Sequence, residues 1–331
     1  MNLINLNINW FYSAYINPMS LRLGHNMYTD HGKDELVNYT LKTGANFFQI
    51  FMRPPYQFRS QRWSDAELIT LKNQLEKHDR IIVIHGNFVC NFCNPPGSFI
   101  HEFGGKLLIE ELNDSYKLGA LGTIIHMGKR KIKINKKETL LSEDNALKNF
   151  VKGVRKVLQN SHPKSTLILE TGAGQGSEIC TSIKDLSLLY HKFTDNEKKR
   201  IMFCIDTCHV FVAGCNLANE LYIDFFMELI EYYLGWNKVA CVHLNDSDAP
   251  YESCKDRHAD IGRGHIGEKG LKKLIKLLVI KKIPMVMETP RFYYINNIKI
   301  GKNPDKNNPT DCERYEWKEQ LDLIKSWLKT D

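Results

Sequence analysis

IIVIH, at residues 81–85, is an unbroken run of branched apolar residues that ends in a histidine. A run of this kind and length is typical of a strand buried on both faces of a parallel sheet. Similar runs recur at regular intervals on either side of it. They are LRLGH (21–25), NFFQIF (46–51), TIIH (123–126), TLILE (166–170), IMFCID (201–206), VACVH (239–243) and PMVMET (284–289). Together the runs predict eight parallel strands.

Amphipathic stretches lie between these runs. Examples are SDAELITLKNQLEKHD (64–79), SEDNALKNFVKGVRKVLQN (142–160) and IGEKGLKKLIKLLVIKK (266–282). The first two begin with a serine that can cap a helix, and acidic residues follow in the first turn. Alternating strands and helices of this number predict an α/β protein, a (β/α)8 barrel with its active site at the C-terminal face of the strands. An open, doubly wound sheet is the alternative for any alternating pattern.

The chain of 331 residues is longer than the roughly 250 residues typical of such a barrel. Residues 1–20 precede the first strand, and we expect them to be an N-terminal extension. Residues 291–310 are expected to form a long loop after the eighth strand. No linker divides the chain, so residues 21–331 are expected to be a single barrel domain.

The composition is that of an ordinary globular protein, with 43% hydrophobic and 25% charged residues and a net charge of +7. This basic surplus is compatible with a polyanionic partner. No apolar run reaches the roughly 18 residues of a membrane-spanning helix, and the first twenty residues lack the basic start of a secretory signal. The 9 cysteines are scattered and odd in number, which argues against a secreted disulfide scaffold. We therefore expect a soluble, intracellular protein without a membrane partner, in the cytoplasm, the nucleus or, for a viral protein, the virion.

Metal-binding residue types lie at the ends of six predicted strands, or just beyond them. They are His85, His126, Glu170, Asp206, His243 and Glu288. Because the C-terminal ends of barrel strands converge on one face, these side chains are expected to meet around one pocket. His209, Asp256 and His258 follow two of the strands and are further candidates. Asp256 and His258 are two residues apart, so in an extended segment they point the same way.

Imidazole and carboxylate ligands suit zinc, with manganese or iron as alternatives. Nine such side chains are too many for one ion, and they suffice for two or three ions if one carboxylate bridges. Clustered metal ions stabilise both the attacking and the leaving oxygen in displacement at phosphorus. The pattern therefore points to phosphoester hydrolysis.

Seven blocks of sequence, in order, resemble the signatures of the endonuclease IV family of apurinic/apyrimidinic (AP) endonucleases. They are HGNF (85–88), HMG (126–128), ETGAGQGS (170–177), DTCHVFVAG (206–214), HLNDS (243–247), DRHADIGRG (256–264) and METP (287–290). The resemblance runs from about residue 21 to the C-terminus. It implies a TIM barrel of the xylose isomerase-like superfamily that holds three Zn²⁺ ions, with Mn²⁺ or Fe²⁺ as substitutes.

The resemblance also assigns the ligands and the reaction. It implies one zinc on His85, His126 and the bridging Glu170, a second on Glu170, Asp206, His243 and Glu288, and a third on His209, Asp256 and His258. Glu170 and Glu288 are the expected catalytic residues, and whether Glu288 binds metal or positions the attacking water stays open. The implied reaction is hydrolysis 5′ to an abasic site in double-stranded DNA, leaving a 3′-hydroxyl and a 5′-deoxyribose phosphate. Repair of blocked 3′ ends is a further expectation, as is a monomeric state.

Expected DNA contacts surround the predicted pocket. They are Tyr56 and Gln57 in MRPPYQF (52–58), Phe88 and Val89 after the first ligand, Lys129, Arg130 and Lys131 in the basic run KRKIKINKK (129–137), and Gln175 in the glycine-rich block. Tyr56 stands where the family pattern has an arginine, and Phe88 where it commonly has a tyrosine. Both rings still offer a surface for stacking or wedging at the abasic gap. Asn245 and Asp246 are expected to orient the ring of His243.

Two other functions are compatible with a metal-binding barrel. A sugar isomerase or epimerase would need fewer ions and would not require the paired Asp256 and His258 or the basic run. A protein that recognises damaged DNA without cutting it would be favoured by the loss of ligands, and all nine candidates are present.

Overall fold

Eight parallel strands close into a barrel in the computed structural model, which describes residues 21–27, 35–57, 62–134, 137–295, 297–301 and 313–329. The barrel strands are β1 (Leu23–Met27), β2 (Phe47–Phe51), β3 (Ile81–His85), β4 (Thr123–Ile125), β7 (Leu167–Glu170), β8 (Ile201–Asp206), β9 (Val239–His243) and β12 (Met285–Met287). Their order around the barrel is β1-β12-β9-β8-β7-β4-β3-β2. Closure excludes the open sheet and confirms the predicted barrel. The expected extension, residues 1–20, lies outside the described residues.

Helices follow most of the strands along the chain. They are α1 (Glu35–Thr43), α2 (Asp65–Lys77), α3 (Phe99–Leu118), α4 (Glu143–Asn160), α5 (Ile183–Tyr190), α6 (Asp195–Lys198), α7 (Thr207–Val212), α8 (Glu220–Tyr233), α9 (Gly267–Ile280) and α10 (Trp317–Trp327). Ser64 and Ser142 cap α2 and α4 as predicted, each accepting a hydrogen bond from a backbone N–H in the first turn. In the described ranges, none of these helices is long and apolar enough to cross a membrane.

The interior of the barrel is filled by apolar side chains from successive strands around it. Phe47, Val83, Ile168 and Val286 belong to this buried cluster and are fully excluded from solvent. A filled interior is expected of an eight-stranded barrel, which is a packed core and not a pore. The polar side chains at the ends of the strands therefore lie next to this apolar core.

Two segments expected as plain loops contain strands. The basic run forms a hairpin of β5 (Lys131–Ile134) and β6 (Lys137–Leu140), and the segment after β12 forms a sheet of β13 (Tyr293–Ile295), β14 (Ile298–Gly301) and β15 (Glu313–Arg314). The short antiparallel pair β10 (Asp246–Ser247) and β11 (His258–Ala259) lies in the loop after β9.

The sheet after β12 is fixed to the barrel by the buried carboxylate of Asp260. Its oxygens accept hydrogen bonds from the backbone N–H groups of Arg291 (2.8 Å) and Phe292 (2.7 Å) and from the hydroxyl of Tyr294 (3.0 Å). The prediction of a plain loop is wrong here because Asp260, the residue that orders the segment, lies about thirty residues earlier in the sequence. No local pattern indicates that contact.

Candidate metal centre

The nine predicted ligands lie together at the C-terminal ends of the barrel strands. Four overlapping groups have ligand atoms within 4.8 Å of one another. They are His85, His126 and Glu170; Glu170, Asp206, His243 and Glu288; Asp206, His209 and His258; and Cys208, Asp256 and His258. The groups join into one centre because they share Glu170, Asp206 and His258.

Glu170, the last residue of β7, connects the first two groups. Its Oε2 is 3.4 Å from Nε2 of His85 and 3.7 Å from Nε2 of His126. Its Oε1 is 2.9 Å from Nδ1 of His243. The carboxylate thus presents one oxygen to each group, which is the arrangement that a bridging ligand needs.

Asp206 and His243 are side by side in the register of β8 and β9. His243 Nδ1 is 3.7 Å from Asp206 Oδ2 and 3.2 Å from Glu288 Oε2. Neighbouring parallel strands therefore supply Asp206 and His243 to the second group, and the segment just after β12 supplies Glu288.

Asp256 lies between two imidazoles in the remaining part of the centre. Its Oδ1 is 3.3 Å from Nε2 of His209 and 3.3 Å from Nε2 of His258. Asp256 and His258, the two side chains predicted to point the same way, therefore bring their ligand atoms close together. Cys208 is an unexpected neighbour of this pair. Burial raises the pKa of its thiol to about 12, so at neutral pH the metal-free thiol stays protonated.

Backbone carbonyl groups fix the rings of three histidines. Nδ1 of His85 lies 2.8 Å from the carbonyl oxygen of Gly86, and Nδ1 of His209 lies 2.8 Å from that of Thr171. Nδ1 of His258 is 3.3 Å from another carbonyl oxygen. Because a carbonyl oxygen only accepts, Nδ1 carries the proton and Nε2 is left to face the centre.

Three buried atoms in the centre have no hydrogen-bond partner among the described residues. They are Oε2 of Glu170, Nε2 of His209 and Nε2 of His258. Leaving a buried polar atom unsatisfied is costly, and such atoms in a native structure indicate an absent ion or water. All three point at other members of the ligand groups, so the residues present fit bound metal ions.

Opposite charges set the ionisation of the cluster. Burial by itself would raise the pKa of Glu170, but neighbouring imidazoles, chiefly His126 and His243, hold it well below its ordinary value. Burial lowers the pKa of His126. In His209 the effect of burial is overcome by Asp206 and other carboxylates, which raise its pKa well above the ordinary value. Ionised carboxylates and neutral imidazoles are the forms that bind metal, and the proton on His209 is one that an ion would displace.

The expectation that Asn245 and Asp246 orient the ring of His243 is wrong. The amide of Asn245 donates to Asp206 Oδ2 at 2.8 Å, and its oxygen accepts from the backbone N–H of Glu288 at 2.8 Å. Asp246 accepts backbone N–H bonds from residues 264, 266 and 267. Asn245 therefore holds two other ligands, and Asp246 holds a loop.

The residues expected at the abasic gap form an aromatic wall beside the ligands. The ring of Phe88 is 5.0 Å from that of His85 and 5.2 Å from that of His126, measured between centroids. Tyr56 packs on Phe88 at 5.1 Å and is 75% exposed. Phe88 thus borders the metal centre, and Tyr56 extends the wall into solvent.

Asn87, which lies in the HGNF block but is not among the expected site residues, holds this wall in place. Its amide nitrogen donates to the carbonyl oxygens of Pro54 (3.0 Å) and Gln57 (3.1 Å). Its oxygen accepts from the backbone N–H of Val89 at 2.9 Å. Gln57 is exposed, whereas Val89 packs partly against the core.

The predicted basic contacts lie at the base of the β5–β6 hairpin. Lys131 forms an ion pair with Glu138 at 2.8 Å, and Lys129 lies 3.6 Å from Glu178. The guanidinium of Arg130 donates to a carbonyl oxygen at the end of the hairpin, at 3.2 Å. Lysines 129 and 131 are exposed, whereas Arg130 stabilises the hairpin.

Gln175 lies in the glycine-rich segment after β7 and is partly exposed. Its Oε1 accepts from the backbone N–H of Asp256 at 3.1 Å and from the guanidinium of Arg257 at 3.2 Å. Gly174 and Gly176 flank it with φ of 77° and 74°, values that favour glycine. Its oxygen therefore supports the segment that carries Asp256.

The closed barrel and its ligand groups define a protein of the xylose isomerase-like TIM barrel class, and the model of that family matches residues 37–326. A protein named endonuclease 4 from Acanthamoeba polyphaga mimivirus is 36% identical over 327 residues, which cover 98% of this chain and 99% of the relative. One from Thermosipho africanus is 30% identical over 276 residues, covering 82% and 93%. The chain belongs to the endonuclease IV family and is an enzyme of the endonuclease type, as the signature blocks predict.

Solved structures share the fold. Endonuclease IV from Thermus thermophilus superimposes with a TM-score of 0.72 at 23% identity, covering 94% of this chain and 100% of that one. A D-tagatose 3-epimerase-like protein superimposes with a TM-score of 0.63 at 13% identity, covering 93% and 97%. The same barrel thus occurs in proteins with very different names.

Proposed function

We propose that this enzyme is a zinc-dependent AP endonuclease of DNA base excision repair. It hydrolyses the phosphodiester 5′ to an abasic site in double-stranded DNA, leaving a 3′-hydroxyl and a 5′-deoxyribose phosphate. The same site would remove blocking groups from 3′ ends, because they too are joined through a phosphate ester. The observation that carries the proposal is the convergence of nine imidazole and carboxylate side chains around the shared carboxylate of Glu170.

Zinc suits this set of ligands, which offers nitrogen and oxygen donors, and Mn²⁺ or Fe²⁺ are the substitutes. The overlapping ligand groups support a proposal of three ions. Bound ions would supply a nucleophilic hydroxide at neutral pH and neutralise charge on the phosphate. In our proposal His85, His126 and Glu170 hold one ion, Glu170, Asp206, His243 and Glu288 a second, and His209, Asp256 and His258 a third.

The chain's own residues give the site its order. Glu170 turns one oxygen to each of two groups, at 3.4 Å from His85 and 2.9 Å from His243. Asn245 holds Asp206 and the backbone of Glu288 in place. Such fixed ligands keep ion positions constant while a phosphate binds, which is what positioning catalysis requires.

On the DNA side, the exposed ring of Tyr56 and the wall formed by Phe88 offer stacking surface where a base is missing. Gln57 and Val89 flank this wall. The hairpin with Lys129, Arg130 and Lys131 brings positive charge beside the centre, where it would contact phosphates. The amide nitrogen of Gln175 is a further donor for a phosphate oxygen.

We further propose that residues 21–331 act as one domain and as a monomer. A repair enzyme works where its DNA lies, which is the cytoplasm, the nucleus or, for a viral protein, the virion. No membrane partner is part of this proposal.

The test is incision of a labelled duplex that contains one tetrahydrofuran abasic analogue, by the full chain supplied with Zn²⁺, Mn²⁺ or Fe²⁺. We expect one cut 5′ to the analogue with a 3′-hydroxyl, no cut in the undamaged duplex, and no activity in Glu170→Ala. Tight binding of the analogue without cutting would instead indicate a recognition protein.

A sugar assay tests the alternative function, which is epimerisation of a sugar instead of cleavage of DNA. The same preparation is incubated with D-tagatose, and epimerisation at C3 is followed by chromatography. Turnover of the sugar together with failure to cut DNA under all three metals would overturn the proposed function.

A further inference from the structure

Gln49 lies on β2, a strand that carries none of the nine candidate ligands, and its side chain is fully buried. Its two amide atoms contact two of those ligands. Oε1 is 2.8 Å from Nε2 of His243, and Nε2 is 2.6 Å from Oε1 of Glu288. A third contact joins Nε2 to Oδ1 of Asn26 on β1, at 3.3 Å. The side chain thus connects the opening strands of the barrel to the second ligand group.

The contacts allow only one orientation of this amide. An ionised carboxylate only accepts hydrogen bonds, so the atom that faces Glu288 is the NH₂ group and the atom that faces His243 is the oxygen. The amide oxygen also only accepts, so His243 carries a proton on Nε2. Nδ1 of His243 is then the nitrogen that faces the carboxylates of the centre.

This makes His243 different from three other histidines of the centre. His85, His209 and His258 are held through Nδ1 by backbone carbonyl oxygens and present Nε2. His243 presents the opposite nitrogen, and a side chain sets that choice. A substitution can therefore remove the contact to His243, whereas no substitution removes a backbone carbonyl group.

We propose that Gln49 is a positioning residue of the metal centre, which fixes His243 with Nδ1 toward the ions and holds Glu288 beside it. This inference rests on the proposed function because it requires that the centre binds divalent ions. The quantity that it concerns is the affinity for those ions in the absence of DNA. Hydrogen-bond partners of ligating histidines typically contribute 10- to 100-fold to metal affinity.

The experiment measures Zn²⁺ binding to the full-length, metal-stripped protein by competition with a chromophoric chelator, and counts ions per chain after dialysis. Gln49→Met keeps the volume and removes both contacts, and one ion is expected to bind about 10- to 100-fold more weakly. Gln49→Glu keeps an oxygen that accepts from His243 but offers Glu288 no amide donor. It should recover part of the lost affinity.

Gln320→Met is the matched control. Gln320 is equally buried and also makes three hydrogen bonds, to Asp260, to the carbonyl oxygen of Tyr315 and from the N–H of Ile261, each at 3.1 Å. It should lose stability to urea, as Gln49→Met does, and bind Zn²⁺ like the wild type.

The outcomes separate this inference from the proposed function. If the wild type binds no Zn²⁺ tightly, the proposed metal enzyme is wrong. If the wild type binds but Gln49→Met binds equally well, or Gln49→Glu binds as weakly as Gln49→Met, the role of Gln49 is wrong. Equal weakening in Gln320→Met would show that the effect is general destabilisation, which also overturns it.

Discussion

His243 Nδ1 lies 2.9 Å from Glu170 Oε1, although the two residues end strands β9 and β7, which have β8 between them. Both side chains are almost completely buried. The contact exists because the curvature of a closed barrel turns alternate strand ends toward one another. It links the two ligand groups that share Glu170.

Removing the charge of that shared carboxylate should disassemble the centre. Glu170→Gln keeps the shape but offers only one neutral oxygen, so we expect fewer bound ions per chain and incision reduced at least 100-fold, since even an indirect partner contributes roughly 10- to 100-fold. Elemental analysis and the abasic-site assay measure the two effects. Glu102→Gln, which alters an acid on the outside of α3, should leave both unchanged. Full ion content in Glu170→Gln would contradict the bridging role.

Asn245 should contribute to ion affinity by holding the ligands Asp206 and Glu288 in place. Asn245→Asp retains the acceptor for the N–H of Glu288 but replaces the donor to Asp206 with a second carboxylate. We expect about 10- to 100-fold weaker ion binding, visible as a higher Zn²⁺ concentration for half-maximal incision. An unchanged Zn²⁺ requirement would show that Asp206 needs no support from Asn245.

The hairpin should contribute to DNA binding through charge alone. Lys131→Ala with Lys133→Ala removes two exposed lysines of β5. The slope of log K against log salt concentration should fall by about one to two, equally for damaged and undamaged duplexes. Lys199→Ala, located just before the start of β8 at the opposite end of the barrel, is the control. An unchanged slope would exclude the hairpin from the DNA interface.

Tyr56 should help the enzyme to distinguish abasic DNA from undamaged DNA. Stacking of an aromatic ring on a base contributes about 1–3 kcal/mol, so Tyr56→Ala is expected to weaken binding of the abasic duplex roughly 10-fold or more while undamaged duplex binds as before. Fluorescence anisotropy in the presence of a chelator measures binding without cutting. Tyr232→Ala, which removes an equally exposed ring on α8, should have no effect. Equal weakening for both duplexes would argue against recognition of the gap.

Glu111 on α3 should make stability depend on pH. Burial raises the pKa of its carboxyl from 4.5 to about 8. In the folded chain its Oε2 accepts a hydrogen bond from the backbone N–H of Asn87. Between these values the folded chain keeps a proton that the unfolded chain has lost. The contribution of Glu111 to stability is therefore greatest below the unfolded pKa and falls as the pH rises toward 8, by up to about 1.4 kcal/mol per pH unit.

Glu111→Gln should remove this dependence, because the amide stays neutral. Urea unfolding of both proteins with a chelator present, at pH 5, 6, 7 and 8, measures the difference between them. The stability gap in favour of the variant should widen with pH. Parallel curves would show that Glu111 ionises normally in the folded chain.

The strands and their polar ends could be predicted because the signal is local. IIVIH and IMFCID match β3 and β8 to the residue, since a parallel strand buried on both faces needs a continuous apolar run. Ser64 and Ser142 are recognisable as caps because a cap is satisfied within its own first turn.

Other features gave no such signal. Gln49 is a single polar residue inside an apolar run, and its partners lie on β9 and after β12. Asn245 is two residues from His243 in sequence but contacts Asp206. Asp260 holds a sheet that only folding brings near it. Each of these contacts joins segments that no local pattern connects.

The sequence by itself determined the barrel and the end of the barrel at which the ligands meet, because strand periodicity and residue type depend on neighbours along the chain. Only the tertiary structure decided which atom each ligand presents to the centre. That choice depends on hydrogen-bond partners from other strands, such as the backbone carbonyl beside His209 and the amide of Gln49 beside His243. A histidine has two nitrogens, and its own sequence neighbours do not say which one will be free.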